Sequence, residues 1–316
     1  MYNLKSLVYK QEKRLELHFE SWFIKFSHSR ATGMLVKYLC EIINRICCLW
    51  PTVAKPKIDA NQVLLAELNV TPFDASEENG ASGFLATYDA LCSLYSVPAC
   101  MAFRSKVTNA FLQNDHRLYV SWHDVPLECG HIQAFAGSIL HDTWFTDVSF
   151  GLGIRGSPLE ITDGAVDTIG PTLATVRHIQ HLRLCRSCLS SKGARSLIHA
   201  LQANHGMQLQ LLDLSHNALG DPIVSELAVC LVHAHTSIQE LHLNSVGMTS
   251  SGLSSMIDTF FQSPDICKKG ISVLTIAHNI LGKRGTTKLI EYIVSTAGAS
   301  LTQLDISATG IDSAEL

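Results

Sequence analysis

The second half of the chain repeats one hydrophobic pattern. Pairs of apolar residues separated by a single position fall at Leu182/Leu184, Leu212/Leu214, Leu241/Leu243, Leu274/Ile276 and Leu304/Ile306, with weaker copies at Leu118/Val120 and Val148/Phe150. The seven starts are separated by 30, 34, 30, 29, 33 and 30 residues. Alternation of this kind predicts a short half-buried strand. The segments LQLLDLSHNAL (Leu209–Leu219) and ISVLTIAHNIL (Ile271–Leu281) match position by position, with Asn217 and Asn279 at a turn. Gly193, Gly252 and Gly285 follow, and then the apolar spacing switches to that of a helix: Leu197/Leu201, Met256/Phe260, Leu289/Ile293.

A strand and a full helix in about 30 residues is the arrangement of the larger, ribonuclease-inhibitor-like class of leucine-rich repeat. The expected fold is therefore α/β, a leucine-rich repeat solenoid spanning 117–316 in about seven units. Neighbouring side chains on a strand point to opposite faces, so if the leucines point inward, the residues beside them line a concave parallel sheet. The candidate partner-binding positions are His181 and Arg183; Asp213 and Ser215; Glu240, His242 and Asn244; Thr275; and Asp305. That row mixes charges and lacks the aromatic anchors that binding hot spots favour. The last unit stops at Ile311–Leu316, where its helix should begin, so the pattern predicts that the natural chain continues with further units.

The N-terminal part reads differently. In Arg14–Phe19, Leu15, Leu17 and Phe19 share one face while Glu16 and His18 share the other; Trp22, Ile24 and Phe26 repeat the alternation beyond a hairpin connection at Glu20–Ser21. An amphipathic helix follows over Thr32–Trp50, with Lys37, Glu41 and Arg45 forming a charge ladder and Leu35, Leu39, Ile42, Ile46 and Leu49 assigned to its apolar side. Three charges in nineteen residues exclude a membrane span, and Pro51 ends the helix. Cys47 and Cys48 are expected to be inert thiols rather than acylation sites. Strands followed by one such helix resemble the end of a pleckstrin-homology-type barrel, so residues 1–52 are read as a partial lipid-binding module of that kind. Residues 53–83 read as a connection and 84–116 as a helical cap.

Charge sharpens this division. Residues 1–58 carry a net +6 and the remainder −10, although the whole chain is only −4. A basic module on an acidic body suggests different partners for the two, with anionic lipid the candidate for Lys5, Lys10, Lys13, Arg14 and Lys25. The composition, 47% hydrophobic and 16% charged, excludes a disordered chain, and ten cysteines in 316 residues are too few for a disulfide scaffold. No secretory segment follows Met1, so reduced thiols and a cytoplasmic location are expected.

Motifs for chemistry are sparse. Cys185-x-x-Cys188 has no second pair at zinc-ribbon distance. His233-Ala-His235 falls near a helix end, where histidines meet the dipole favourably. Leu281-Gly-Lys-Arg-Gly285 lacks phosphate-loop spacing. No spacing singles out a Ser/His/Asp triad. The expectation is no catalysis, no cofactor, no metal, no nucleic acid and no small-molecule substrate.

Phe84–Pro98 (FLATYDALCSLYSVP) is an amphipathic helix ending at Val97-Pro98, with Phe84, Tyr88, Leu91 and Tyr95 at helical spacing. In this order of parts it resembles the segment joining the pleckstrin-homology-like domain to the repeats in the CARMIL family, the capping-protein and myosin-I linkers that uncap actin filaments. Trp144-Phe145-Thr146-x-Val148-Ser149 is similar to a run in that family's early repeats, and the helix leading to Trp50-Pro51 to the end of its lipid-binding domain. The resemblance implies a non-enzymatic scaffold of actin assembly, peripheral at the plasma membrane, with partners in the actin machinery. It carries no uncapping residue onto this chain, because that segment lies in a C-terminal tail outside these 316 residues. Two alternatives stand beside it: a GTPase-activating repeat protein of the Ran-activator type, using Arg183 or Asn244 at a partner's nucleotide, and a generic or ciliary repeat adaptor. An immune-type sensor is set aside, since no nucleotide-binding phosphate loop occurs in the sequence.

Overall fold

The computed structural model describes residues 4–10, 14–27, 31–47, 49–50, 54–60, 63, 66, 80–121, 124–125, 128–150, 163–187, 189–233, 238–262 and 270–311. The chain divides into two compact units, residues 1–114 with 137–144, and residues 115–136 with 145–316.

In the first unit, β1 (Leu4–Lys10), β2 (Arg14–Phe19) and β3 (Phe23–Ser27) form an antiparallel meander, followed by helix α1 (Ala31–Cys47). Then β4 (Lys57–Ala60) pairs in parallel with β1, so the open sheet runs β3-β2-β1-β4. This strand lies within the stretch expected to be a connection; four residues beside Pro56 are too few to declare alternation. Leu7, Tyr9, Leu15 and Leu17 point inward against α1 and are buried.

The buried stripe of α1 is Val36, Leu39, Cys40, Ile43 and Cys47; of the expected stripe Leu39 is in it and Leu35 and Ile46 pack at its edge, partly buried. At 100° per residue, this stripe is the one opposite the charge ladder centred on Glu41; the expected stripe was about 100° away from it. Trp50 Nε1 donates to Thr87 Oγ1 (2.9 Å), and the Thr87 hydroxyl reaches the Ile46 carbonyl (2.8 Å). These bonds tie the end of α1 to α2 (Gly80–Leu94). Phe84, Tyr88 and Leu91 of α2 are fully buried, with Phe103 of α3 (Met101–Leu112) tilted against Tyr88. Tyr95 does not join them: α2 ends at Leu94, and Tyr95 is partly exposed.

The second unit holds a seven-stranded, all-parallel sheet ordered as in the chain: β5 (Arg117–Val120), β6 (Asp147–Phe150), β7 (His181–Arg183), β8 (Leu211–Asp213), β9 (Glu240–His242), β10 (Val273–Thr275) and β11 (Gln303–Asp305). Helices Cys129–Leu140, Asp163–Leu173, Ser191–Ala203, Gly220–His233, Ser250–Phe261 and Gly282–Ile293, labelled α4 to α9, follow β5 to β10 in turn. The fold is thus mixed α/β, with a parallel sheet built by strand–helix crossovers. Leu118, Val148, Leu182, Leu212, Leu241, Leu274 and Leu304 stand in register across all seven strands. The first six are at most 1% exposed and Leu304 is half-buried.

Beyond β7 to β11 the backbone makes one bend per repeat. Arg186, His216, Ser245, His278 and Ala308 all adopt positive φ (50–61°), although none is glycine. The amides of Arg186, His216, Ser245 and His278 each donate to a carbonyl of the next repeat, at 2.7–2.9 Å.

After the bend the repeats alternate between two designs. Where the turn residue is asparagine, its side-chain oxygen accepts two amides from the preceding repeat. Asn217 takes those of Ser187 and Leu189 (3.0 and 3.2 Å), and Asn279 those of Val246 and Met248 (3.1 Å each). The amide nitrogens donate to Leu184 and Leu214, and to Leu243 and Ile276 (2.8 Å each). Where the turn residue is Val246 or Thr309, its backbone carbonyl does the accepting, from Leu219 and Gly220 or from Leu281 and Gly282. Gly220 and Gly282 have φ of +72° and +56°, which an L side chain rarely adopts.

Candidate functional site: the outward face of the parallel sheet

Because the leucines fill one side of the strands, two columns of other residues occupy the opposite side. Register places Arg117, Asp147, His181, Leu211, Glu240, Val273 and Gln303 in one, and Tyr119, Ser149, Arg183, Asp213, His242, Thr275 and Asp305 in the other. Ser215 and Asn244 lie two residues beyond the ends of β8 and β9.

Many of the polar side chains here bond to one another or to neighbouring backbone amides. His181 and Arg183 converge on the Asp147 carboxylate, His181 Nδ1 at 3.2 Å and the Arg183 guanidinium closer still. Asp147 is 7% exposed, and these two partners offset the cost of burying a carboxylate. The sequence reading left Asp147 out of the site; its signal was available, as it stands one residue before the buried Val148. His242 Nδ1 lies 2.9 Å from Thr275 Oγ1, and its Nε2 3.7 Å from Glu240. Asn244 Oδ1 accepts the Ala277 amide (2.8 Å), and Ser215 Oγ accepts the Asn244 amide (3.2 Å). Asp213 and Asp305 each accept the amide two residues on, from Ser215 and Ser307 (2.9 and 3.0 Å). The Ser307 hydroxyl also donates to Asp305 (2.6 Å) and holds that carboxyl below its usual range.

The face is therefore a polar lattice ordered in advance, with Tyr119 as a 43% exposed aromatic at one end. Exposed Arg186, His216 and His278 project from the bends beside it and were also missed. Burial, and then the nearby Arg186 charge, lower the His216 pKa, so the neutral ring is favoured there.

Cys185 sits on the face with its pKa raised by burial, so the thiol stays protonated at neutral pH and is a poor ligand or nucleophile. Cys188 and His235 lie outside the described residues. His233 Nδ1 contacts the Val229 carbonyl (2.8 Å) at the end of α7. Among the described residues no cluster of three or more His, Cys, Asp or Glu is placed to hold a metal, and no helix is long and apolar enough to cross a membrane.

Of the proposed lipid contacts, Lys10, Arg14 and Lys25 lie on the solvent face of the four-stranded sheet, and Lys57, not anticipated, joins them. Lys5 is at a bulge between Leu4 and Ser6, 4.0 Å from Glu20. Lys13 lies outside the described residues. The Lys25 ammonium is 3.3 Å from Glu16 and holds that carboxyl below its usual range.

Comparison with known proteins agrees with the repeat. Residues 208–228 match the leucine-rich repeat family model. A curated bovine (Bos taurus) relative, NACHT, LRR and PYD domains-containing protein 3, is 31% identical over 145 residues, which cover 43% of this chain. The match spans only 13% of that relative's length. Among solved structures, actin-binding site 2 of leiomodin-1 aligns at a TM-score of 0.33 with 18% identity, over 39% of this chain and 67% of that one.

Proposed function

We propose that the chain is a non-enzymatic scaffold whose leucine-rich repeats form a solenoid that docks a protein partner on the outward face of its sheet. The observation that carries this is the Asp147–Arg183–His181 group together with the bonded polar rows around it. These side chains are already held by hydrogen bonds and ion pairs, which lowers the ordering cost of meeting a partner. The finer reading is a CARMIL-like regulator of actin assembly held at membranes by its basic N-terminal unit. Its support is the order of parts: a basic sheet and helix, the Phe84–Pro98 helix, the Trp144–Ser149 run, then repeats. Arg183 is occupied by Asp147, which leaves the Ran-activator alternative without a specific observation in its favour.

The test is capture of purified actin-assembly proteins on immobilised chain, beside axonemal proteins and a small GTPase. Capture of an actin regulator, weakened about tenfold (about 1.4 kcal/mol) by Arg183→Glu when measured well below that variant's lowered melting point, is expected. Stimulated GTP hydrolysis, or capture of axonemal proteins alone, overturns the finer reading. Capture that Arg183→Glu leaves unchanged moves the site off this face.

A further inference from the structure

The four-stranded sheet ends at β3, and no strand among the described residues pairs with its outer side. The Phe19 amide donates to the Trp22 carbonyl (2.8 Å), which sets the phase of the β2–β3 hairpin. By alternation, the backbone groups of Ile24 and Phe26 face β2, while those of Phe23, Lys25 and Ser27 face outward. Such a row is a template for another strand. Strands that remain single at an edge usually carry an inward-pointing charge, a proline or a bulge. β3 has none of these: its register with β2 is unbroken, and its one charge, Lys25, lies opposite Glu16 on the solvent face.

Its side chains are as open as its backbone. Ile24 opposes Leu17 and Phe26 opposes Leu15, so with Trp22, which stacks on Phe19 at 3.9 Å, they lie on the core-facing side of the sheet. Yet Trp22 is 53% and Phe26 36% exposed, and Ile24 is only half-buried. On the other side Phe23 is 57% exposed, with the Lys25 ammonium 5.2 Å over its ring. An apolar strip along an open strand edge marks an interface.

Register and charge select the occupant. When β3 lies antiparallel to a second β3 about Ile24, Trp22 meets Phe26, Phe23 meets Lys25 and Ile24 meets Ile24. Each pair joins side chains of one face: aromatic to aromatic, ring to cation, aliphatic to aliphatic. The outward backbone groups of Phe23 and Lys25 then form the hydrogen-bonded pairs on either side of the axis. Moving the axis to Lys25 sets two ammonium groups directly opposite, which is unfavourable. We propose that two copies of this chain join through β3 in the Ile24-centred register, forming one eight-stranded sheet. The arrangement is isologous, with the apolar strips of both copies on the same side of the joined sheet. It does not rest on the function proposed above.

The test is analytical ultracentrifugation of the full chain over a range of concentrations. Expected is an average mass that climbs from one chain toward two. Phe23→Lys, which opposes two cations, should raise the concentration of half-dimerisation by about tenfold or more. Phe23→Glu loses the same ring but faces Lys25 of the second copy, and should raise it by less than about threefold. Circular dichroism should be unchanged in both. Ile24→Cys should give, on mild air oxidation, a disulfide joining two copies at position 24, read by mass spectrometry, because Cα atoms at such a pair lie about 4.5 Å apart. A single mass at every concentration overturns the proposal, even where β3 then accepts a strand from another protein. Association that Phe23→Lys leaves unchanged, or that both Phe23 variants weaken equally, overturns it as well.

Discussion

At the residue scale, the stacked bends concentrate backbone cost and polar satisfaction in a few side chains. Asn217 answers two amides and two carbonyls in the interior, and a truncated side chain would leave them unpaired. Asn217→Ala is therefore expected to lower stability by about 3 kcal/mol, read from urea unfolding. Ser245, at φ 52°, occupies a conformation that β-branched residues tolerate poorly. Ser245→Val should cost about 2 kcal/mol, whereas Ser245→Gly should be neutral or slightly stabilising; equal loss in both variants would show that the hydroxyl, not the backbone, matters. His178 gives a pH signature. Burial lowers its pKa to about 4, and its Nε2 has no hydrogen-bond partner among the described residues. The unfolded chain then takes up this proton near pH 6.5 and the folded chain only near 4, so stability declines as pH falls through that window. The loss is about 3 kcal/mol, and His178→Gln should flatten the curve of unfolding midpoint against pH between 6.5 and 4.

At the element scale, the start of α8 is secured by its neighbour as well as by its own cap. Thr249 caps α8 by accepting the Ser251 amide (3.2 Å), while its own amide and hydroxyl donate to Asp221 of α7 (2.7 and 2.6 Å). Gly252 lies beneath this carboxylate: a Cβ there would come within 2.4 Å of Asp221 Oδ1. Gly252→Ala should displace Asp221 and cost as much as Asp221→Ala, about 1–2 kcal/mol each. Because both act on one contact, the double variant should lose little more than either single one. Fully additive losses in thermal melts would separate the glycine from the cap. In the other unit, α1 shows how an element can be found with its packing face displaced: helix, length and charge ladder were legible, but the expected stripe ran along the edge of the buried one, which is centred on Val36, Cys40, Ile43 and Cys47.

At the scale of the whole molecule, what was legible follows from how often a signal recurs. The seven strands and their order could be read because one phase repeats seven times, so no single poor copy could mislead. β4 appears once, is four residues long, and is recognised only through its pairing with β1. The site was half legible for a related reason. Alternation says which side chains leave the core, but Asp147 joins His181 and Arg183 across a strand boundary, 34 and 36 residues away in sequence, where local pattern carries no information. The same long-range stacking bears on how such a chain can be lengthened or shortened. Asparagine turns and carbonyl turns alternate, so the true building block is two repeats, the 62 residues from Asn217 to Asn279. Excising one asparagine repeat would set the Ser187 turn beside the Val246 turn and leave the amides of Ser187 and Leu189 without their acceptor. Excising the Asn217 and Val246 repeats together would bring Asn279 into the vacated place, a seam the remaining turns already know how to close.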